Sequence, residues 1–198
     1  MEVGKILTVP LFPLETVLFP GGALPLRIFE PRYLDMISHC MKTECGVGVV
    51  LIEKGREVGQ AAQTCDTGTL SNITYWHKRN DGMLGITLMG EQRFRICNTT
   101  TQPNQLIIAD VELLPPIEKP QTSPAEEVLV KLLKQIISQL EPPFTTMEKF
   151  YDDVEWVTSR LIELLPLPLQ KKQEMLCLEN VNDRLQSLKP LLVSLDII

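Results

Sequence analysis

The sequence is poor in the residues and patterns on which several classes of protein depend. Its 198 residues include two histidines, His39 and His77. Neither lies in a serine, cysteine or carboxylate signature that would orient it as a catalytic base. No Gly-x-x-x-x-Gly-Lys-[Ser/Thr] segment, which would cradle a nucleotide phosphate, occurs in the chain. We therefore expect neither a nucleotide site of that kind nor an enzyme.

Metal-ligand spacing is missing as well. No histidine accompanies the cysteines at the intervals that a structural zinc site requires. Each cysteine has apolar neighbours along the chain, which favours reduced thiols in a core. We expect no metal ion and no cofactor. The five cysteines are Cys40, Cys45, Cys65, Cys97 and Cys177.

The chain also lacks a long apolar run and a cationic leader. Its first residues, MEVGKILTVPLF, place Glu2 before a short apolar stretch that Pro10 and Pro13 interrupt. A secretory signal begins with a positive segment, and a membrane-spanning helix needs about 20 apolar residues. The sequence therefore predicts a cytoplasmic protein that makes no membrane contact.

Positive charge is scarce. The formal net charge is −6, and the densest basic groups are the short segments 77–79 and 171–172. Binding to nucleic acid relies on clustered lysines and arginines that displace counterions from phosphates. Nucleic acid is therefore not an expected partner.

The chain is rich in proline and glycine from Val9 to Leu34, the segment VPLFPLETVLFPGGALPLRIFEPRYL. A proline cannot donate to a sheet, so these residues favour short edge or corner strands. Gly21 provides a turn without Cβ strain, and Glu30 with Pro31 opens a helix. The prolines of this segment are Pro10, Pro13, Pro20, Pro25 and Pro31.

Periodicity divides the chain into a β part and a helical part. The apolar run 47–52 predicts a central buried strand, and Asp81-Gly82 predicts a hairpin. Beyond residue 118 the apolar residues recur at helical spacing, with one helix over about 147–165 and a last helix that starts near Asn182. Pro190 should kink or end that last helix. The prediction is an α+β protein with a β domain at 1–118 and a helical bundle at 119–198.

Three blocks of this sequence together resemble one known family. The first contains PLFPL, VLFPG and LPLRIFEPRY, and the second contains Thr67-Gly68-Thr69, Asp81-Gly82 and GEQRFRI. The third is the tail LPLPLQKKQEMLCLENVNDRLQSLKPLL. They are similar to the N-terminal substrate-binding domain of the ATP-dependent Lon proteases, which also occurs free-standing and in cereblon-type ubiquitin ligase receptors.

The resemblance implies a PUA-like β pseudo-barrel followed by a helical bundle, in a stand-alone member that lacks the ATPase and protease domains. In it, Arg93 falls on the arginine of the family motif, and we expect it to pair with a carboxylate such as Glu30 and lock the barrel. The residues that the resemblance assigns to this structural motif are Pro13, Pro20, Gly21, Glu30, Pro31, Gly90 and Arg93.

The resemblance further implies a non-catalytic module that binds unfolded or partly folded polypeptide segments, as a proteolysis adaptor or a chaperone-like binder. A protease or another protein is a further possible partner. Such binders need exposed aromatic surface or an open sheet edge. The residues predicted for this surface are Phe29, Arg32, Tyr33, Tyr75, Trp76 and His77. Two alternatives stay open. PUA-like barrels also bind RNA, and the fold could bring a histidine to Cys40 or Cys65 in an enzyme of unknown type.

Overall fold

The structure, a computed structural model, describes residues 4–78, 80–117, 124–195 and 197, and for residues 124–126 the backbone alone. The described residues form six β-strands and five α-helices, which confirms the predicted α+β class. The chain divides into two compact units, Met1–Pro115 and Pro116–Ile198. The predicted domain boundary, between residues 118 and 119, lies outside the described residues.

Within its described residues, the first unit contains the six strands and one helix. The strands are β1 (Ile6–Leu14), β2 (Ala23–Ile28), β3 (Val47–Lys54), β4 (Gln63–Lys78), β5 (Leu84–Thr101) and β6 (Ile107–Leu113), and the helix is α1 (Pro31–Thr43).

The six strands form one sheet that closes on itself. The strand order is β2-β5-β4-β3-β1-β6, and β6 pairs with β5 as well as with β1. The pairing of β1 with β3 is parallel, whereas the other pairings are antiparallel. Closure works because β5 is long: its first half pairs with β2 and its second half with β6. Where β5 and β6 pair, the closed sheet of the described residues leaves no strand edge open to other chains.

Strand β3 lies between β1 and β4, and its residues 47–51 are buried, as the apolar run predicted. Two apolar clusters fill this unit. One packs α1 against the sheet through residues such as Phe12, Tyr33 and Leu88. The other surrounds Phe94, whose side chain is fully buried. The two clusters hold the strands at fixed register around the site described below.

The hairpin predicted at Asp81-Gly82 joins β4 to β5. Gly82 has φ 84°, a left-handed conformation that costs glycine nothing. The Asp81 carboxylate accepts a hydrogen bond from the backbone N–H of Met83 at 3.0 Å. Arg79, at the start of the turn, lies outside the described residues.

The second unit contains helices alone within its described residues: α2 (Pro124–Ser138), α3 (Val154–Leu164), α4 (Leu169–Cys177) and α5 (Val181–Ser194). Helix α3 starts seven residues later than predicted, since the Asp153 side chain accepts hydrogen bonds from the N–H groups of Glu155 and Trp156 and so fixes the first turn. Helix α5 likewise begins after Asn180, whose side chain accepts from Asn182 N at 2.7 Å.

The helix does not end at Pro190, one of the two predicted outcomes, since Pro190 lies inside α5, which continues to Ser194. Proline removes one backbone donor, and a helix tolerates that loss where packing outweighs it. Leu188 and Leu192, on either side of Pro190, are fully buried and hold the helix to its end.

Arg184 connects the helices of this unit from a fully buried position. Its guanidinium donates to the carbonyl of Met175 at 2.8 Å, to Ser159 Oγ at 3.2 Å and to Glu155 Oε1 at 3.1 Å. A buried charge is tolerated where such partners surround it. Across the described part of the chain, no helix is both long and apolar enough to cross a membrane.

Candidate functional site

The junction between β2 and α1 carries the segment Phe29-Glu30-Pro31-Arg32-Tyr33, whose side chains have different environments. Pro31 occupies the first turn of α1 and Glu30 is the N-cap residue, as predicted, although the Glu30 side chain makes no capping bond. Phe29 is 60% exposed, whereas Arg32 and Tyr33 are 5% and 6% exposed. Of the three residues predicted here for a binding surface, Phe29 alone presents its side chain to solvent.

Arg32 holds two loops against the start of α1. Its Nη1 donates to the carbonyl of Gln105 at 2.9 Å, and its Nη2 donates to the carbonyl of Glu57 at 3.1 Å. Its Nη2 also donates to Glu30 Oε1 at 3.4 Å, and its Nε lies 3.0 Å from Glu30 Oε2. Arg32 therefore supports the surface from beneath, and Glu30 pairs with it rather than with Arg93 as predicted.

Tyr33 belongs to the core below this surface. Its ring lies 4.3 Å from the ring of Phe12, centroid to centroid, and the Arg32 guanidinium lies 4.5 Å from the Tyr33 centroid. Burial raises the pKa of the Tyr33 hydroxyl to about 12, and the positive charge of Arg32 partly offsets this effect. The Tyr33 ring is thus a packing element that keeps Arg32 in place.

A shallow groove of about 50 Å³ opens beside this junction. Leu26 and Tyr33 line its floor, and Phe29 and Val58 line its rim with their side chains 60% and 47% exposed. Sequence reasoning missed Val58. The signal for it is a single branched apolar residue between Gly55 and Gly59 in an otherwise polar loop, a position where apolar exposure calls for an explanation.

The aromatic segment Tyr75-Trp76-His77 lies on the last part of β4. Tyr75 and Trp76 are 58% and 57% exposed, and His77 is exposed as well. The rings of Tyr75 and His77 lie 5.3 Å apart on one face of the sheet. The His77 ring covers Gly85, where an added Cβ would collide with it. Glycine at that position therefore allows the imidazole to lie flat against β5.

Trp76 lies on the opposite face of the sheet. It pairs in register with Ile86 of β5, which pairs in turn with Leu26 of β2. Leu26 lines the groove beside Phe29. Because neighbouring strands are spaced about 4.8 Å apart, Trp76 stands about 10 Å from Leu26 across this face. The structure thus separates the predicted surface into two exposed groups on one three-stranded segment.

This segment has strand edges that no other strand covers. Within the described residues, β4 pairs with β3 up to Ser71, and residues 72–78 pair with β5 alone. Strand β2 likewise pairs with β5 alone, but its Pro25 cannot donate a hydrogen bond. Proline blunts an edge against strand addition. The edge of β4 is therefore the better template for another extended chain.

Three of the residues assigned to the structural motif, Pro20, Gly21 and Gly90, lie at or beside the turn at Gly21. Gly21 has φ 72°, and its N–H donates to the Gly90 carbonyl at 2.7 Å. The Gly90 N–H donates in return to the carbonyl of Gly22 at 2.9 Å. A Cβ on Gly90 would collide with the carbonyl oxygen of Phe19, immediately before Pro20. Two motifs that lie far apart in the sequence thus form one corner of the sheet.

Pro13 and Arg93 complete this motif in the sheet itself. Pro13 lies in the half of β1 that pairs with β3 alone, where a missing donor is tolerated. Arg93 is 2% exposed and donates to the Pro115 carbonyl at 3.2 Å. Arg93 therefore connects β5 to the segment that follows β6 through a backbone carbonyl, and not through Glu30.

A second concavity, a cleft of about 410 Å³, bears on the enzyme alternative. Asp35, His39 and Cys45 all line it. Within the described residues no hydrogen bond joins His39 to Cys45, and Cys45 Sγ instead donates to Cys40 Sγ at 3.0 Å. In a hydrolase with a cysteine nucleophile, the cysteine lies within hydrogen-bond reach of its base. This cleft therefore holds no cysteine–histidine pair of that kind in the conformation described.

The cysteines are free thiols in different environments. Cys40 is buried as predicted, whereas Cys97 and Cys177 are exposed, so the prediction of core thiols is wrong for these two. Cys97 lies in the second half of β5, where the side chains are largely exposed. Among the described residues, no three His, Cys, Asp or Glu side chains are grouped to hold a metal ion.

Comparison with known proteins assigns this fold and its motifs to a family of substrate-binding domains. Residues 8–194 match the sequence model of the family described as the ATP-dependent protease La (LON) substrate-binding domain. The chain belongs to this family. A crystal structure of a Lon N-terminal domain protein from Xanthomonas campestris is 31% identical, with a TM-score of 0.75 over 93% of this chain and 98% of that one.

Longer proteins are similar over the same region. The Lon protease of Parabacteroides distasonis is 25% identical over 186 residues, which cover 89% of this chain and 22% of that protein. The Lon protease of Buchnera aphidicola is 26% identical over 204 residues, 98% of this chain and 26% of that protein. The chain therefore spans about a quarter of these relatives, and the similarity lies in their substrate-binding part.

Proposed function

We propose that the chain binds extended segments of unfolded or partly folded polypeptides along the outer edge of β4. Three observations support this proposal: membership of a substrate-binding family, the exposed aromatic segment, and a strand edge without a neighbour at residues 72–78. An exposed edge bearing aromatic side chains is normally a liability for aggregation. The presence of this edge beside Trp76 is the single observation that carries the proposal.

The chemistry is that of strand addition. A bound segment pairs its main-chain N–H and C=O groups with those of β4, and such bonds depend little on the sequence of the segment. Its alternate side chains meet Tyr75 and His77 on one face and Trp76 on the other. This combination gives broad recognition of apolar segments, as a binder of unfolded chains requires.

The expected affinity is weak. Trp76 and Tyr75 are 57% and 58% exposed. A peptide that covers the exposed part of both side chains removes roughly 250 Å² of apolar surface from water. This contributes about 6 kcal/mol to the binding free energy, before the entropy of ordering the peptide is subtracted. Phe29 and Val58 add a second apolar contact for a longer segment. Dissociation constants should therefore lie at about micromolar or weaker.

The proposed role in the cell is recognition, as an adaptor for proteolysis or as a chaperone-like binder. The two roles differ in whether a bound protein is degraded faster or is protected from aggregation. We place the protein in the cytoplasm as part of this proposal, because the free thiols of its cysteines suit a reducing compartment.

The test is binding to a fluorescently labelled polypeptide that has been reduced and alkylated so that it cannot fold. Titration with this protein should raise the fluorescence anisotropy, and Trp76→Ala with Tyr75→Ala should weaken the affinity at least about tenfold, since 1.4 kcal/mol corresponds to a factor of ten. Ile6→Ala is the matched control, because Ile6 is 64% exposed on β1. Equal affinity of all these proteins refutes the proposed edge.

The same titration separates the RNA alternative. Polypeptide binding through apolar contacts should survive 0.5 M salt, a concentration at which surface charges are screened within about 5 Å. Binding to a single-stranded RNA of mixed sequence, if it occurs, should fall steeply with the logarithm of the salt concentration. Tight RNA binding together with no polypeptide binding would replace the proposal with the RNA alternative.

A further inference from the structure

The thiols of Cys40 and Cys45 lie against each other at the end of α1. Their sulfur atoms are 3.0 Å apart, inside the distance at which unbonded sulfurs normally touch. The chain reverses between them, because Glu44 adopts a left-handed backbone with φ 54°. This reversal directs Cys45 back toward the last turns of the helix. Both cysteines are free in the structure.

The two sulfurs differ in their access to solvent. Cys40 is 2% exposed, and its Sγ lies 3.8 Å from the carbonyl oxygen of Gly46. Cys45 is half-buried and lines the cleft of about 410 Å³ that also contains Asp35 and His39. A small molecule that enters this cleft therefore meets the sulfur of Cys45 first and finds the sulfur of Cys40 directly behind it.

We propose that Cys40 and Cys45 form an oxidation site, in which a hydroperoxide entering this cleft converts the two thiols into an intramolecular disulfide. The inference does not depend on polypeptide binding. It rests on the contact between the sulfurs and on the open cleft beside one of them. Redox-sensing cysteines characteristically combine an accessible sulfur with a neighbouring second cysteine.

The reaction balances in two steps. The Cys45 thiolate attacks one oxygen of the hydroperoxide, the O–O bond breaks, and Cys45 becomes a sulfenic acid while an alcohol or water leaves. The Cys40 sulfur then attacks the Cys45 sulfur, the S–S bond forms, the S–O bond breaks and water leaves. Two electrons pass from the sulfurs to the peroxide, and the two thiol protons end on the released oxygens.

The order of the steps follows from the surroundings of each sulfur. Burial, together with the neighbouring Cys45 thiol, raises the pKa of the Cys40 thiol well above its usual range. Cys40 is therefore protonated and unreactive at neutral pH, and Cys45 reacts first. The closing step should accelerate as the pH rises, because Cys40 attacks as its thiolate.

The test is peptide mapping of the whole protein after treatment with hydrogen peroxide and alkylation of the remaining thiols. Trypsin cleaves after Lys42, between the two cysteines, so that Cys40 falls in the peptide 33–42 and Cys45 in the peptide 43–54. We expect these peptides to be joined, with a combined mass about 2 Da below that of the two thiol peptides. A thiol reductant should separate them.

Exposed Cys97 serves as the internal control for unselective oxidation. Peroxide should lower the alkylation of Cys40 and Cys45 by about tenfold and leave that of Cys97 within about twofold, because only the pair has a partner in contact. Linked peptides that contain mainly Cys97 or Cys177, with 33–42 and 43–54 unlinked, overturn the proposal.

A single variant tests the order of the steps. In Cys40→Ala, the sulfenic acid on Cys45 has no partner, so a cyclic diketone that traps sulfenic acids should label Cys45 after peroxide treatment. In Cys45→Ser, the same probe should label Cys40 at least about tenfold more slowly, since Cys40 is buried and protonated. Equal labelling of the two variants contradicts the assignment of Cys45 as the first site. The mapping of the unaltered protein stands even if either variant fails to fold.

Discussion

Replacing Arg32 tests whether this residue supports the binding surface or belongs to it. Arg32→Ala removes two hydrogen bonds from a buried cation to the carbonyls of Gln105 and Glu57, at 2.9 and 3.1 Å, and a longer one to Glu30 Oε1 at 3.4 Å. Hydrogen bonds from charged groups contribute about 1.5–3 kcal/mol each. The bond to Glu30 adds little, because it is long at 3.4 Å. The free energy of unfolding should therefore fall by about 3–6 kcal/mol.

The assay is urea unfolding followed by far-ultraviolet circular dichroism. Arg32→Ala should lower the midpoint with little change in the slope, which depends on the surface exposed on unfolding. The urea midpoint of Arg32→Lys should lie between those of the unaltered protein and Arg32→Ala, since an ammonium group cannot span both carbonyls as a guanidinium does. Arg32→Lys also keeps the positive charge, so it is the variant to use for binding measurements.

Arg27→Ala is the matched control. Arg27 is exposed on β2 and lines the same groove, so its removal should change the stability by no more than about 0.5 kcal/mol. A loss below about 1 kcal/mol for Arg32→Ala would refute the assigned role, because the two loop carbonyls would then not depend on this guanidinium. A normal stability with lost polypeptide binding would return Arg32 to the binding surface.

Three further predictions concern stability. Gly90→Ala should lower the free energy of unfolding by about 2 kcal/mol or more, because the added Cβ would collide with a backbone carbonyl. Gly59→Ala is its control: this position has open space and φ 87°, so the loss should be about 1 kcal/mol. Thermal unfolding measures both losses. Arg184→Met should lower the stability in urea by about 3–5 kcal/mol, because it breaks a buried ion pair. The free energy of unfolding should fall between pH 10 and 12, because in this range Tyr33 ionises in the unfolded chain but stays neutral in the folded protein. Tyr33→Phe should remove this part of the pH dependence.

Local signals in the sequence predicted the elements that bracket the site. Asp81-Gly82 favours a tight turn and so predicts a hairpin from its own two residues. Pro31 predicts the start of α1, because its ring presets the backbone of a first helical turn. The mixed fold class followed from the change in apolar period along the chain. These features depend on neighbours in sequence, which is why the sequence alone was sufficient.

Features that depend on contacts distant in sequence were missed. The partner of Glu30 was predicted to be Arg93, but the structure pairs Glu30 with Arg32, whose remaining donors reach loops that no local pattern brings near. The start of α3 was placed near Met147 by its apolar spacing, whereas the cap at Asp153 determines it. Periodicity indicates a helical face, but capping and burial determine where the helix begins.

The surface residues show the same limit. Residues 29, 32 and 33 were predicted to belong to one surface, but their environments differ. Phe29 faces solvent, while Arg32 and Tyr33 are buried. Tyr75, Trp76 and His77 were predicted as one aromatic group, and the strand alternation divides them between two faces. A single sequence shows which residues are aromatic, and the sheet register determines which of them can meet a partner.

The most direct test of polypeptide binding uses Trp76 as its own reporter. The second tryptophan, Trp156, is 4% exposed, and its ring nitrogen has no hydrogen-bond partner among the described residues, so Trp156→Phe removes no such bond. In that variant all tryptophan emission comes from Trp76. Titration with an unfolded, alkylated polypeptide should shift this emission to shorter wavelength and protect it from acrylamide. Emission and quenching that stay unchanged while the polypeptide binds, or the absence of any binding, would contradict the account.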